Sequence, residues 1–277
     1  MNKVLRQYRI INILNLDVAM GAAGMSMWVN YLLNHSSPIV YYYLIFSVVW
    51  TIYLLDHLYD AKKHEAISER RKYFKKNAPI FRWVLGVNIL LSLGLFAFNF
   101  NMVMLLYALP AFGITCVYML ANWLFQENKQ RFYLKEILIS LGYALGIMVI
   151  PLSIREKVDL QTVLITLFIV LMALWNLLII ARFELEIDRK EGQTSLNQWI
   201  SIRHIQWINY GIYSGYLTVG IIYSQLYTTD LIVGIIFVIM AIYMVIPFIA
   251  TKYLQKGEKY HRYVDMVFLW SLICLFA

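Results

Sequence analysis

Apolar stretches of about twenty residues recur along the whole of this chain, and a polypeptide built that way has few folds open to it. A stretch of that length crosses a bilayer as an α-helix, and inside hydrocarbon every backbone N–H and C=O must be paired within the protein. The stretches fall near 10–33, 38–60, 79–98, 101–124, 133–153, 159–183, 203–224, 230–251 and 260–277. They predict an all-α, polytopic membrane protein with nine transmembrane helices, or eight if the last stretch lies along the interface. Composition agrees: 61% of the 277 residues are hydrophobic and 14% are charged, too little polar surface for a water-soluble domain of this size. Aromatic residues are numerous, with 21 Tyr and 8 Trp, which fits either a ring-lined interior or tyrosines packed between helices.

Both cysteines, Cys116 and Cys274, lie in apolar stretches, which argues against a disulfide framework or a cysteine-ligated metal. Lys3, Arg6 and Arg9 precede the first stretch without a small-residue cleavage site. That is the pattern of a retained first span doubling as a signal anchor.

Lysine and arginine set the expected orientation. If the N-terminus is cytoplasmic, 22 of the 24 basic residues fall in inner connections, and Arg155 and Lys157 alone fall outside. So lopsided a split predicts an N-terminus inside and a C-terminus outside. Short loops fit a prokaryotic plasma membrane. The net charge of +8 is therefore gathered on one face, where it also attracts anionic lipid headgroups. It points to no nucleic acid.

Two acidic pairs end the second and sixth stretches on that same face. Asp56 and Asp60 form one, Glu184 and Asp188 the other. Each is spaced i, i+4, so its carboxylates share one helix face. Carboxylates at the edge of a bilayer are costly unless something cationic binds between them. The pairs recur at the same interval after four spans, which raises a duplication of four-helix units over about 1–124 and 133–251, with a ninth helix added. Magnesium takes oxygen ligands, keeps one or two protein carboxylates and completes its shell with water and substrate phosphates. A Mg²⁺-bridged diphosphate, its remaining oxygens met by Arg and Lys, is a good leaving group. On an allylic isoprenoid, its departure leaves a carbocation that aromatic faces stabilise.

At these motifs the chain resembles the UbiA superfamily of intramembrane prenyltransferases, over nearly its full length. The family's Asn-x-x-x-Asp-x-x-x-Asp motif reads here Ile52, Asp56, Asp60. Its second motif, Asp-x-x-Asp-x-x-Gly-Asp-Arg-x-x-Gly-x-x-Thr-Leu, is matched at Asp188, Arg189, Gly192 and Leu196. Glu184 and Ser195 are close replacements, while Ala181 and Ile187 depart from it. The resemblance implies one domain, 1–277, with nine helices around a central cavity. It also implies Mg²⁺-dependent transfer of a prenyl group from an isoprenyl diphosphate to a hydrophobic aromatic or lipid acceptor.

On this reading Asp56, Asp60, Glu184 and Asp188 are the metal-binding and catalytic carboxylates. Arg70, Arg71, Lys135, Arg189 and Lys190 are the candidate diphosphate contacts, although each is also explained as loop or interfacial charge. Asp17 and Asn12, with Asn15 nearby, form a polar patch about 10 Å into the first span at helical rise, and Tyr53 stands one turn before Asp56. These three, Asn12, Asp17 and Tyr53, are pocket candidates, with interhelical hydrogen bonding or core packing as the alternative. Asn122 and Asn176 read as helix glue. His57 projects away from Asp56, and five histidines are too few for a di-iron oxygenase. The competing functions are a transporter using its acids for ion coupling, and a protein that binds a diphosphate lipid without turnover.

Overall fold

The computed structural model describes residues 3–63, 68–127, 134–155, 157–191, 201–227, 230–255 and 259–276. Among them six helices are long and apolar enough to cross a membrane. These are α3 (Ile39–Lys63), α5 (Ala78–Phe98), α6 (Met102–Glu127), α7 (Lys135–Arg155), α8 (Leu160–Glu191) and α10 (Leu231–Ile249). The other helices are α1 (Lys3–Ile13), α2 (Leu16–Leu32), α4 (Glu69–Lys76), α9 (Ile202–Tyr227), α11 (Thr251–Gln255) and α12 (Lys259–Asp265), followed by a 3₁₀ helix over Met266–Phe276. The described residues form an all-helical membrane protein.

Three of the nine expected spans differ from uninterrupted apolar helices. The stretch 10–33 breaks at Asn15, which takes the left-handed conformation at φ 52° and ψ 26°. Asparagine tolerates that region better than other residues with a Cβ. The break puts Asp17 in the first turn of α2, where its Oδ1 accepts from the Val18 N–H at 3.0 Å and its charge favours the helix N-terminus. Helix α9 is long, but its opening turns carry Arg203, His204, Gln206 and Asn209. The stretch 260–277 tightens after Asp265 into the 3₁₀ form. At about 2.0 Å per residue those eleven residues reach further along the bundle than the same number in an α-helix.

Helix α2 lies at the centre, packed against α3, α7 and the terminal 3₁₀ helix. Small residues make the closest of these approaches possible. A methyl group at Gly21 would stand 2.5 Å from the Cβ of Phe268, so α2 and the 3₁₀ helix meet at nearly backbone distance. A cluster of aromatic rings fills part of the core. Phe237 meets Trp28 and Phe168 edge to face, the latter at 4.7 Å, and Phe168 lies tilted against Tyr216 at 4.4 Å. Helices α5 and α6 instead turn Trp83, Leu90, Phe98 and Phe112 outward, faces suited to lipid.

Local chemistry fixes the helix starts. Asp159 caps α8, accepting from the Thr162 N–H at 3.0 Å while its own N–H donates to the Thr162 hydroxyl, a reciprocal cap. That backbone hydrogen bond, then Arg155 beside it, holds the Asp159 carboxyl below the usual carboxylate range. Asp230 caps α10 by accepting from the Ile232 N–H, and Ser68 caps α4 by accepting from the Arg71 N–H. Arg155 and Lys157, the two basic residues assigned outside, both meet Asp159. They lie at the far end of α7 from Lys135, about 30 Å away along a helix of that length.

Candidate functional site

At the end of the bundle where α3 stops, Asp56 and Asp60 project together from one face, as their spacing requires. Asp56 accepts a long hydrogen bond from the Tyr118 hydroxyl of α6, 3.4 Å. Asp60 is paired with Arg71 of α4 at 3.6 Å, and both side chains are nearly buried. Lys135, the first residue of α7, stands close enough to act electrostatically on both aspartates. Cations from α4 and α7 therefore lie beside the first acid pair.

Helix α4 sorts its charges onto two faces. Arg70, Arg71 and Phe74 turn inward, while Lys72, Lys75 and Lys76 are exposed. Positions three and four apart share a helix face, so the basic segment is amphipathic rather than uniformly solvated. Phe74 anchors the inner side, its ring 4.6 Å from that of Phe81 and 4.9 Å from His57. Arg70 donates to the Asn12 carbonyl at 3.0 Å. From there its guanidinium acts electrostatically on Glu184, His261, Asp265 and Tyr53. Arg71, paired with Asp60, acts on Asp56 and on Glu184 as well, so it is the cation common to both groups of acids.

Glu184 extends from α8 to within electrostatic reach of Arg70 and Arg71. Its Oε1 accepts from His261 Nε2 at 2.8 Å and from the Tyr260 hydroxyl at 3.5 Å, and Tyr260 is itself stacked flat on Phe183. The side chains of Asp188, Arg189 and Lys190 lie outside the described residues, as do Gly192, Ser195 and Leu196. The second half of the second acid pair therefore has no described position.

Behind Arg70 a buried polar hub joins four helices. Asn12 donates to Asp17 at 2.7 Å and to Asp265 at 3.2 Å. The Tyr8 hydroxyl donates to Asp17, and Asn176 donates to Asp265. Asp17 is 0% and Asp265 4% exposed. Burying such carboxyls costs several kcal/mol unless donors surround them, and here the amides of Asn12 and Asn176 do so. Asn12 and Asp17 accordingly sit in an interhelical network next to the site, and Asn176 acts as the glue expected of it. Tyr53 lies within electrostatic reach of Asp56 and Asp265. His57 turns away from the acids to Asn15 Oδ1 at 3.1 Å.

Four residues here escaped the sequence reading. Asp265 had a signal, being the one acid within the apolar stretch 260–277, and intramembrane acids are functional candidates by default. His261, four residues earlier, belongs to the same helix face. Tyr118 and Tyr260 carried none, because nothing in sequence distinguishes them from the other tyrosines.

Carboxylates are the oxygen donors a hard divalent cation takes, but among the described residues no three His, Cys, Asp or Glu side chains stand close enough together to hold an ion.

No protein-family model and no curated protein matches the sequence. Solved structures do. A UbiA homologue from Aeropyrum pernix K1, in its apo form, superposes with a TM-score of 0.65 over 96% of this chain and 98% of that one, at 12% identity. A digeranylgeranylglyceryl phosphate synthase studied in membranes superposes with a TM-score of 0.56 over 98% of each chain, at 15% identity. Both correspondences run essentially end to end, and at such identities what they share with this protein is its architecture: the chain has the UbiA fold.

Proposed function

We propose that the protein is an intramembrane prenyltransferase, moving an isoprenyl group from an isoprenyl diphosphate to an aromatic or lipid acceptor with Mg²⁺ as cofactor. The observation that carries the reading is convergence. Arg71 pairs with Asp60 and acts electrostatically on Asp56 of α3 and Glu184 of α8, while Lys135 acts on the two aspartates and Arg70 on Glu184. Each acid pair comes from one of the two proposed four-helix halves, 1–124 and 133–251. The fold shared with a digeranylgeranylglyceryl phosphate synthase supports the same class of chemistry.

Arg70, Arg71 and Lys135 bind and orient the diphosphate, with Arg189 and Lys190 as further contacts. Asp56, Asp60, Glu184 and Asp188 would hold Mg²⁺, which when bound supplies charge neutralisation for the departing diphosphate. The isoprenoid tail lies among the apolar helices, with Tyr53 presenting a ring at the reacting end, where an aromatic face stabilises developing positive charge. The basic face that bears the site is cytoplasmic.

Purified protein incubated with labelled geranylgeranyl or farnesyl diphosphate, Mg²⁺ and extracted lipid or quinone-precursor acceptors should release diphosphate. Asp56→Ala and Glu184→Ala should abolish release. Saturable binding without release from any chain length would instead identify a diphosphate-lipid binder, and release unaffected by both substitutions would place the chemistry elsewhere.

A further inference from the structure

The outward side of α4 carries charge that no described residue answers. Lys72, Lys75 and Lys76 are exposed, and at i, i+3 and i, i+4 they share one helix face. Arg82, early in α5, is exposed as well. None of the four forms an ion pair with a described residue, and Glu69, the acid of α4, is taken by Arg9 of α1. Helix electrostatics explains only part of this. Lys75 and Lys76 lie in the last turn of α4, where the dipole favours cations. Lys72 lies mid-helix and repels Lys76 at i, i+4, and Arg82 sits near the end of α5 at which the dipole favours anions.

The same corner lies at a bilayer surface. Asn77 alone separates α4 from α5, a helix long and apolar enough to cross a membrane. Phe74 and Phe81, their rings 4.6 Å apart, close the inner angle between the two helices. On the outside Ile80 is 61% and Trp83 78% exposed. Tryptophan is enriched at headgroup level, so Trp83 sets the depth of the corner, with Arg82 beside it and the lysines of α4 one short helix away.

We infer that the outer face of α4 and the opening of α5 form a binding surface for the anionic phospholipids of the adjoining leaflet, with Lys72, Lys75, Lys76 and Arg82 meeting their phosphates. Charge complementarity names the occupant: four basic side chains clustered beside a membrane helix are the composition that anionic headgroups attract. The surface also has a consequence for α4. An eight-residue helix is too short to persist in water by itself, and α4 bears Arg70 and Arg71 on its inward side. Headgroups bound outside cancel the repulsion among its lysines and so help to seat the two inward arginines.

The test titrates the full chain in detergent with phosphatidylglycerol or phosphatidylcholine and reads bound lipid by native mass spectrometry. Phosphatidylglycerol should bind more tightly. The double variant Lys72→Gln/Arg82→Gln should lower that preference by about 5- to 25-fold, at roughly fivefold per basic residue. Arg203→Gln/Lys252→Gln removes as much charge from exposed positions outside α4 and should lower it by no more than about twofold. In nanodiscs, amide hydrogen exchange across 69–76 should be slower with phosphatidylglycerol than with phosphatidylcholine, and Lys72→Gln/Arg82→Gln should erase the difference. Equal affinity for the two lipids, equal losses in the two double variants, or exchange in α4 indifferent to lipid charge would each overturn the inference. The prenyltransferase reading stands or falls separately, on diphosphate release.

Discussion

Arg70 offers the sharpest test of whether the site is built for a diphosphate, because an exposed neighbour on the same helix provides its control. Arg70 faces inward and Lys72 outward, two residues apart on α4. Replacing either with glutamine removes one positive charge from the same segment. At Arg70 the lost interaction is a charge-assisted hydrogen bond to phosphate oxygen, worth about 1.5–3 kcal/mol. At about 1.4 kcal/mol per tenfold change, the affinity for a non-hydrolysable isoprenyl thiodiphosphate should fall roughly 10- to 150-fold in Arg70→Gln. Glu184 and Asp265, both within electrostatic reach of Arg70, lose a counter-charge at the same time, which pushes the effect toward the upper end. At Lys72 the charge is exposed and screened within a Debye length of about 8 Å at physiological ionic strength, so Lys72→Gln should change affinity by no more than about twofold. The assay is calorimetric titration in nanodiscs, with thermal unfolding measured alongside, since Arg70→Gln also deprives the Asn12 carbonyl of its donor. Equal losses in the two variants would show that α4 acts only through its bulk field, and the inward arginine would lose its assigned role.

Other consequences are as direct. Gly21→Ala should destabilise the protein by about 1–3 kcal/mol through overpacking, because the added methyl meets the Cβ of Phe268. Gly24→Ala should cost less, as its nearest neighbour is the flexible end of Leu272, and thermal unfolding in detergent would rank the two. Asn15→Val should destabilise by about 1–2 kcal/mol, the cost of a left-handed residue with a Cβ, whereas Asn15→Gly should be tolerated; equal melting temperatures would contradict the assigned break between α1 and α2. Tyr118→Phe removes a single long hydrogen bond to Asp56, so kcat/KM for diphosphate release should drop by only about 2- to 10-fold. A loss near that of Asp56→Ala would give the Tyr118 hydroxyl a larger part in the chemistry.

Sequence reading worked best where a signal is periodic or confined to one segment. The apolar stretches marked the helices because hydrocarbon accepts little else, and the i, i+4 acids marked one end of α3 because a helix leaves them no other relation. It worked worst where meaning depends on what lies opposite. Arg70 and Lys72 are equivalent as basic residues in a basic segment, and only the burial of Phe74 decides which of them faces the acids. The first span looked continuous because hydropathy registers apolar content and not φ, so a left-handed Asn15 was invisible within it. Asp17 was consequently read as lying about 10 Å into a continuous span, whereas it opens a helix.

Asp265 and His261 show why the C-terminal segment was undervalued. Its composition is that of an ordinary span, and its two unusual residues find their partners on α8, through Glu184 and Asn176, and on α1, through Asn12. Their sequence separations from those partners run from 77 to 253 residues, beyond the range of any local pattern. Yet the energetics demanded such partners. A carboxyl as deeply buried as Asp265 is tolerated only where donors reach it, and the tightly approached 3₁₀ helix, seated against Gly21 and Gly24 of α2, holds it next to Asn12. The close packing of two helices near the chain's ends is thus what brings the C-terminal acid against Asn12 and Asn176 and the imidazole against Glu184.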